Sequence, residues 1–210
     1  MLIQSPSKII RNDFRIWNKI NTNAISEVFN NQILNVYEAV LEVNGEWRIN
    51  FEEEKTVLIL PLYGEIIIND YYHSLFAGTS LTMNLEQGKD LVFKNHIYHD
   101  KADILIFVFD KQENISNISR NEIDFTLKNN FRNISESLET PNFIGIYNGR
   151  AEGFYTLKNP ENSIFGMVIN GAFEFQNRLM ETRDAILLSE IETLEFEALS
   201  ENALIIFFEV

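Results

Sequence analysis

The sequence predicts an all-β protein made of two antiparallel jelly-roll β-barrels joined by a polar segment. Three observations carry this expectation. Short apolar or alternating runs broken by turn residues dominate the chain, helical periodicity is scarce, and one order of strand, glycine turn and strand occurs twice. Two small sheets closed by such an order bury their apolar faces as jelly rolls do.

In the first half the strand-like runs fall at 35–43, 56–63, 65–68, 91–93 and 104–109. Asn44-Gly45 separates the first from the run opened by Trp47, and Asn-Gly supplies the positive φ angles of a type I′ hairpin turn. The longest apolar stretch, 57–63, has the length of a buried strand and not of a membrane span. In the second half the runs fall at 153–157, 165–169, 172–175, 185–188, 193–198 and 203–210. Leu194, Phe196 and Ala198 alternate with Glu195 and Glu197, the pattern of a half-buried strand. Short helices are expected at 22–33 and 134–140. The division that follows is an N-terminal extension packing on the barrels at 1–34, a first barrel at 35–110, a polar connecting segment at 111–142 and a second barrel at 143–210.

The repeat is visible in the residues. A buried strand reaches Gly64, then Glu65-Ile-Ile-Ile-Asn69, then Gly78-Thr-Ser-Leu-Thr-Met83. Phe165-Gly-Met-Val-Ile-Asn170 reaches Gly171, then Ala172-Phe-Glu-Phe-Gln176, then Asp184-Ala-Ile-Leu-Leu-Ser189. Each block closes with a strongly apolar strand, at 102–109 and 202–208.

Composition narrows the function. The 210 residues carry 17 Lys and Arg against 31 Asp and Glu, a net charge of −14. Such a balance repels phosphate backbones and anionic lipid, so neither a nucleic acid nor a membrane is expected as partner. Without cysteine there is no disulfide, thiol nucleophile or thiolate metal site. The opening MLIQSPSKIIRND has no apolar signal core, and a cytoplasmic location is expected. No nucleophile elbow, Walker loop or dinucleotide glycine pattern is present.

Tyr147-Asn-Gly-Arg150, the Gly171 turn and the terminal Ile205-Ile-Phe-Phe-Glu-Val210 resemble the C-terminal cupin of the pirin-like bicupins, a group of the cupin superfamily that includes quercetinase-like proteins. The resemblance implies a bicupin whose metal-bearing members hold a transition metal through His-x-His on one strand, a third histidine and a carboxylate. Residues i and i+2 of a strand face the same way, and neutral imidazoles suit iron, nickel or copper. Counted back from the glycine turns, the His-x-His places fall at Asn50 and Glu52, and at Leu157 and Asn159. The ligand histidines of the family are therefore missing at these places.

Three histidines exist: His73, His96 and His99. His73 follows Asp70-Tyr71-Tyr72 and is expected on a surface loop. His96 and His99 point to opposite faces of a straight strand and converge only if residues 95–100 turn. The titratable candidates of the first barrel are Glu38, Glu52, Tyr63, His96 and His99. Trp47 either lines the barrel mouth or packs with Ile49 and Phe51, which alternation puts on its own face. Glu52-Glu53-Glu54 reads as a solvated rim, and Glu190, Glu192, Glu195 and Glu197 as the outer face of a strand pair.

The expected function is that of a pirin-like bicupin without its metal site, binding a small organic ligand or a protein partner and open to homodimer formation through strand edges. The candidate ligand-binding residues are Trp47, Asn50, Glu52, Tyr63, His96 and His99, with no cofactor. The alternative is a quercetinase-like dioxygenase with one divalent iron, nickel, copper, manganese or zinc on His96, His99 and Glu52.

Overall fold

In the computed structural model of the chain, residues 5–69, 74–113, 115 and 118–210 are described. His73, with Asp70, Tyr71 and Tyr72, lies outside them. The strands in chain order are β1 (Ser7–Ile10), β2 (Asn18–Ile20), β3 (Asn23–Asn30), β4 (Leu34–Leu41), β5 (Glu46–Ile49), β6 (Lys55–Tyr63) and β7 (Glu65–Ile68). Next come β8 (Leu75–Phe76), β9 (Thr79–Leu85), β10 (Leu91–Asn95), β11 (Ala102–Asp110), β12 (Ser119–Glu122), β13 (Asn130–Asn133) and β14 (Asn142–Tyr147). The chain closes with β15 (Glu152–Thr156), β16 (Ile164–Asn170), β17 (Phe173–Phe175), β18 (Leu179–Met180), β19 (Ala185–Leu188), β20 (Thr193–Ala198) and β21 (Ala203–Glu209). The helical structure among the described residues is one 3-10 turn, Asn12–Phe14, and no helix there is long and apolar enough to cross a membrane.

The chain divides into two compact units. The N-terminal barrel, Arg15–Ile123 with Ser135–Glu139, has a seven-stranded sheet of order β12-β9-β6-β11-β4-β3-β2 and a four-stranded sheet of order β5-β10-β7-β8. The C-terminal barrel, Met1–Phe14 with Asp124–Ile134 and Thr140–Val210, has a six-stranded sheet of order β1-β19-β16-β21-β14-β13 and a four-stranded sheet of order β15-β20-β17-β18. All pairings are antiparallel. Strands β4 to β11 recur as β14 to β21 in the same spatial order, so the repeat read in the sequence is a repeat of architecture. Both copies bend at one place. The ladder slips between Asp103 and Ile104 in one and between Val168 and Asn170 in the other, beside Gly64 and Gly171, whose φ of 85° and 79° a side chain would resist.

Each barrel interior is a closed apolar cluster. Ala39, Leu41, Trp47, Ile59, Ile66, Ile68, Leu91, Phe93 and Ile104 fill the first. Tyr147, Tyr155, Phe173, Phe175, Phe196 and Phe207 dominate the second, meeting mostly edge-on or tilted. Burial pushes the Tyr147 hydroxyl up to about 12.

Three local expectations are corrected. Residues 22–33 are not helical but form β3 and the turn after it. A bulge between Glu27 and Phe29 leaves Ile25, Val28 and Phe29 all buried, which mimics the three-and-four spacing of a helix. Residues 134–140 are irregular, with Ile134, Ser135 and Leu138 buried and the Ser135 hydroxyl accepting from Thr82 at 2.6 Å. The hairpin after β4 is a turn from Glu42 to Gly45, closed by Gly45 N donating to Glu42 O at 2.7 Å. In it Asn44 takes the positive φ and Gly45 does not.

Candidate functional site

The strands that would present ligands to the inside of the N-terminal barrel are β5, β7 and β10. On β5 the inward residues are Trp47 and Ile49, facing Phe93 and Leu91 across the ladder. The Trp47 and Phe93 rings stack with centroids 5.5 Å apart, Tyr37 leans on Trp47 at 6.4 Å, and Trp47 is only 6% exposed. Trp47 is thus a core residue packed with Ile49 and Phe51 in one cluster.

Counting back to Asn50 and Glu52 lands one face off and past the end of β5. The chain leaves the sheet after Ile49, and both side chains are exposed, with Asn50 Nδ2 donating to Asp90 at 3.3 Å. Sequence distance from a glycine turn cannot register where a strand stops. The neighbouring Glu53 and Glu54 pair with Lys55 and Lys111, at 3.2 and 2.8 Å, as a solvated rim.

The remaining candidates gather at the opposite end of the barrel. Tyr63 ends β6, and its hydroxyl donates to Asp100 at 2.5 Å. That bond, the accompanying charge and slight desolvation raise the tyrosine pKa. The same bond, with the Lys101 N–H, holds Asp100 below the usual carboxylate range. His96 and His99 are exposed on the loop between β10 and β11, with the His96 ring 6.0 Å from Tyr98. Asn95 shapes this loop, a role the sequence did not signal. Its amide donates to the carbonyls of Leu41, Glu42 and Asp100 and its oxygen accepts from Ile97 N.

Glu52 precedes β6 and Tyr63 ends it, so the nine-residue strand holds them roughly 26 Å apart or more. The set His96, His99 and Glu52 is therefore not assembled. Among the described residues no three His, Asp or Glu side chains converge as metal ligands. Glu38, buried on the face of β4 away from the barrel interior, is ion-paired with Arg15 at 2.6 Å.

A second surface, missed in the sequence, lies on the outer face of β15, β20 and β17 in the C-terminal barrel. It is a groove of about 530 Å³ lined in part by Glu152, Phe154, Glu174, Gln176, Glu195 and Glu197. The alternation of 193–198 showed Glu195 and Glu197 facing outward. The register that sets Glu152 and Glu174 beside them appears only in the folded sheet.

Residues 146–210 match the family model of the quercetinase C-terminal cupin domain. The structure of YhhW from Escherichia coli is similar, with a TM-score of 0.77 at 11% identity over 98% of each chain. So is that of the bacterial pirin YhhW in complex with nickel(II), also from Escherichia coli, with a TM-score of 0.78 at 12% identity over 97% of this chain and 99% of that one. The C-terminal part of the chain thus matches a quercetinase cupin domain, and the chain as a whole has the fold of the bacterial pirins. Quercetin 2,3-dioxygenase from Acinetobacter baumannii shares the fold at a TM-score of 0.70 and 9% identity, over 97% of this chain and 78% of that chain. No curated protein matches the chain in sequence.

The nickel in one neighbour poses the question whether the N-terminal barrel of this chain fits a metal. The inward side chains of β5, β7 and β10 are Trp47, Ile49, Ile66, Ile68, Leu91 and Phe93, none of which offers a ligand atom suited to nickel or iron. They do not fit a metal.

Proposed function

We propose that this chain is a pirin-like cupin that acts as a metal-independent binding module for a protein partner. The Trp47–Phe93 stack carries the reading. It sets the largest side chain of the N-terminal barrel where an inward ligand residue would stand, and it gives that interior to the chain's own packing. Recognition is then left to outer surfaces, and the C-terminal barrel carries a groove on one of them.

The test is elemental analysis of tag-free protein after incubation with iron, nickel, copper, manganese and zinc, together with oxygen consumption in the presence of a flavonol. Less than stoichiometric metal and no flavonol-dependent oxygen uptake are expected. About one metal per chain, lost in His96→Ala or His99→Ala, overturns the reading.

A further inference from the structure

We propose that the outer face of β15, β20 and β17 docks an extended, arginine-bearing segment of a protein partner. The inference rests on the binding-module reading and names the chemistry of the partner. It begins with register. Glu152 pairs with Glu197, and Glu197 pairs with Glu174, so three carboxylates lie side by side on three adjacent strands. One step further along, Phe154 pairs with Glu195, whose N–H donates to Gln176 Oε1 at 2.9 Å. Directly opposed side chains stand roughly 5 Å apart, and like charges there oppose each other. A cation laid across the row removes that cost.

The face already holds one such cation. The Arg150 guanidinium donates to Glu197 at 3.1 Å while its side chain remains 79% exposed, one arginine for four carboxylates. Phe154, 73% exposed, stands in the second row as an open aromatic surface. A guanidinium can lie flat on a phenyl ring and at the same time fork to a neighbouring carboxylate, which a lysine ammonium cannot do in one geometry. Thr156 and Thr193 continue the face as neutral polar ground.

The spread of the charges argues for a chain and against an ion. No three carboxylates of the described residues converge as cation ligands, whereas successive rows repeat every two residues along the strands, roughly 7 Å. Alternate side chains of an extended peptide repeat at the same spacing, so arginines at every second position meet successive rows.

The experiment is fluorescence anisotropy of a labelled octapeptide of alternating arginine and serine against the full chain, with the lysine–serine peptide in parallel. The arginine peptide is expected to bind more tightly than the lysine one and to weaken as salt is raised. Phe154→Ala is expected to weaken it about tenfold, and Glu152→Gln with Glu195→Gln further still. Glu86→Gln with Glu122→Gln, equal in charge and placed on the N-terminal barrel, is expected to leave binding unchanged. Absence of binding at low salt, indifference to Phe154→Ala, or equal loss in the control pair overturns the inference, the last because only net charge would then be read. Stoichiometric metal with arginine binding intact would overturn metal independence and leave this docking face standing.

Discussion

Trp47 and Gly153 occupy matching places in the two barrels, each directly opposite a phenylalanine, Phe93 in one and Phe196 in the other. The volumes compensate. A Cβ on Gly153 would stand 2.4 Å from the Phe196 ring, whereas Trp47 fills the same space in the first barrel with an indole stacked on Phe93. Trp47→Ala should therefore leave a cavity and cost about 3–5 kcal/mol in urea unfolding, and a loss under about 1 kcal/mol would show that the indole is not packed as described. Glu209 is the other residue with a measurable signature. Its buried carboxylate accepts from Tyr155 at 2.6 Å, from the backbone N–H of Lys158 and Asn159, and from the Asn162 amide. Burial pulls its pKa up, but these donors together outweigh burial and hold it below the usual range. A depressed folded pKa gives stability that is whole above the unfolded glutamate value near 4.3 and is lost as pH falls through the lower folded value. Glu209→Gln should thus be less stable than the parent by about 1–3 kcal/mol at neutral pH, with the deficit shrinking in that acid window. A deficit independent of pH would mean that the charge plays no part.

At the scale of elements, β1 shows how a short exposed strand is held. Its four residues pair with β19, Pro6 O accepts from Ser189 N, and the chain is pinned just beyond by Asp184. That buried carboxylate accepts from Arg11 at 2.6 Å and from the N–H groups of Asn12 and Glu181. Asp184→Ala orphans these donors together and should cost about 2–3 kcal/mol, with faster proteolytic cleavage near Arg11 as the local readout; unchanged cleavage would show that β1 is held by its ladder alone. Elements with a plain period of two, such as β20, were legible from the sequence. The helix expected at 22–33 was not, because one bulged residue converts that period into a helical one. Nothing local in Ser7-Lys-Ile-Ile10 announces that it joins a sheet made from the last third of the chain.

For the molecule as a whole, the duplicated order of strands was the most legible feature, since each copy spells its glycine turn and its apolar closing strand. The division of the chain into units was less so. The backbone passes from one unit to the other after Phe14, Ile123, Ile134 and Glu139, places marked by no common residue type. The candidate site was legible only in halves. Tyr63, His96 and His99 do share one end of the first barrel, whereas Asn50 and Glu52 lie at the other and Trp47 lies inside. Residue types announce chemistry, but a shared location depends on where each strand begins and stops.

The pairing of β1 with β19 also sets a timetable. Arg11 and Asp184 are 173 positions apart, so a ribosome delivers β1 long before its partner. At roughly 5–20 residues per second the interval is on the order of ten to thirty seconds, during which the N-terminal barrel can form but β1 has no ladder to join. A waiting strand is a template for the wrong chain. Pro6 before it, Lys8 within it and Arg11 after it are the kinds of residue that discourage such pairing, and they leave the position open for β19.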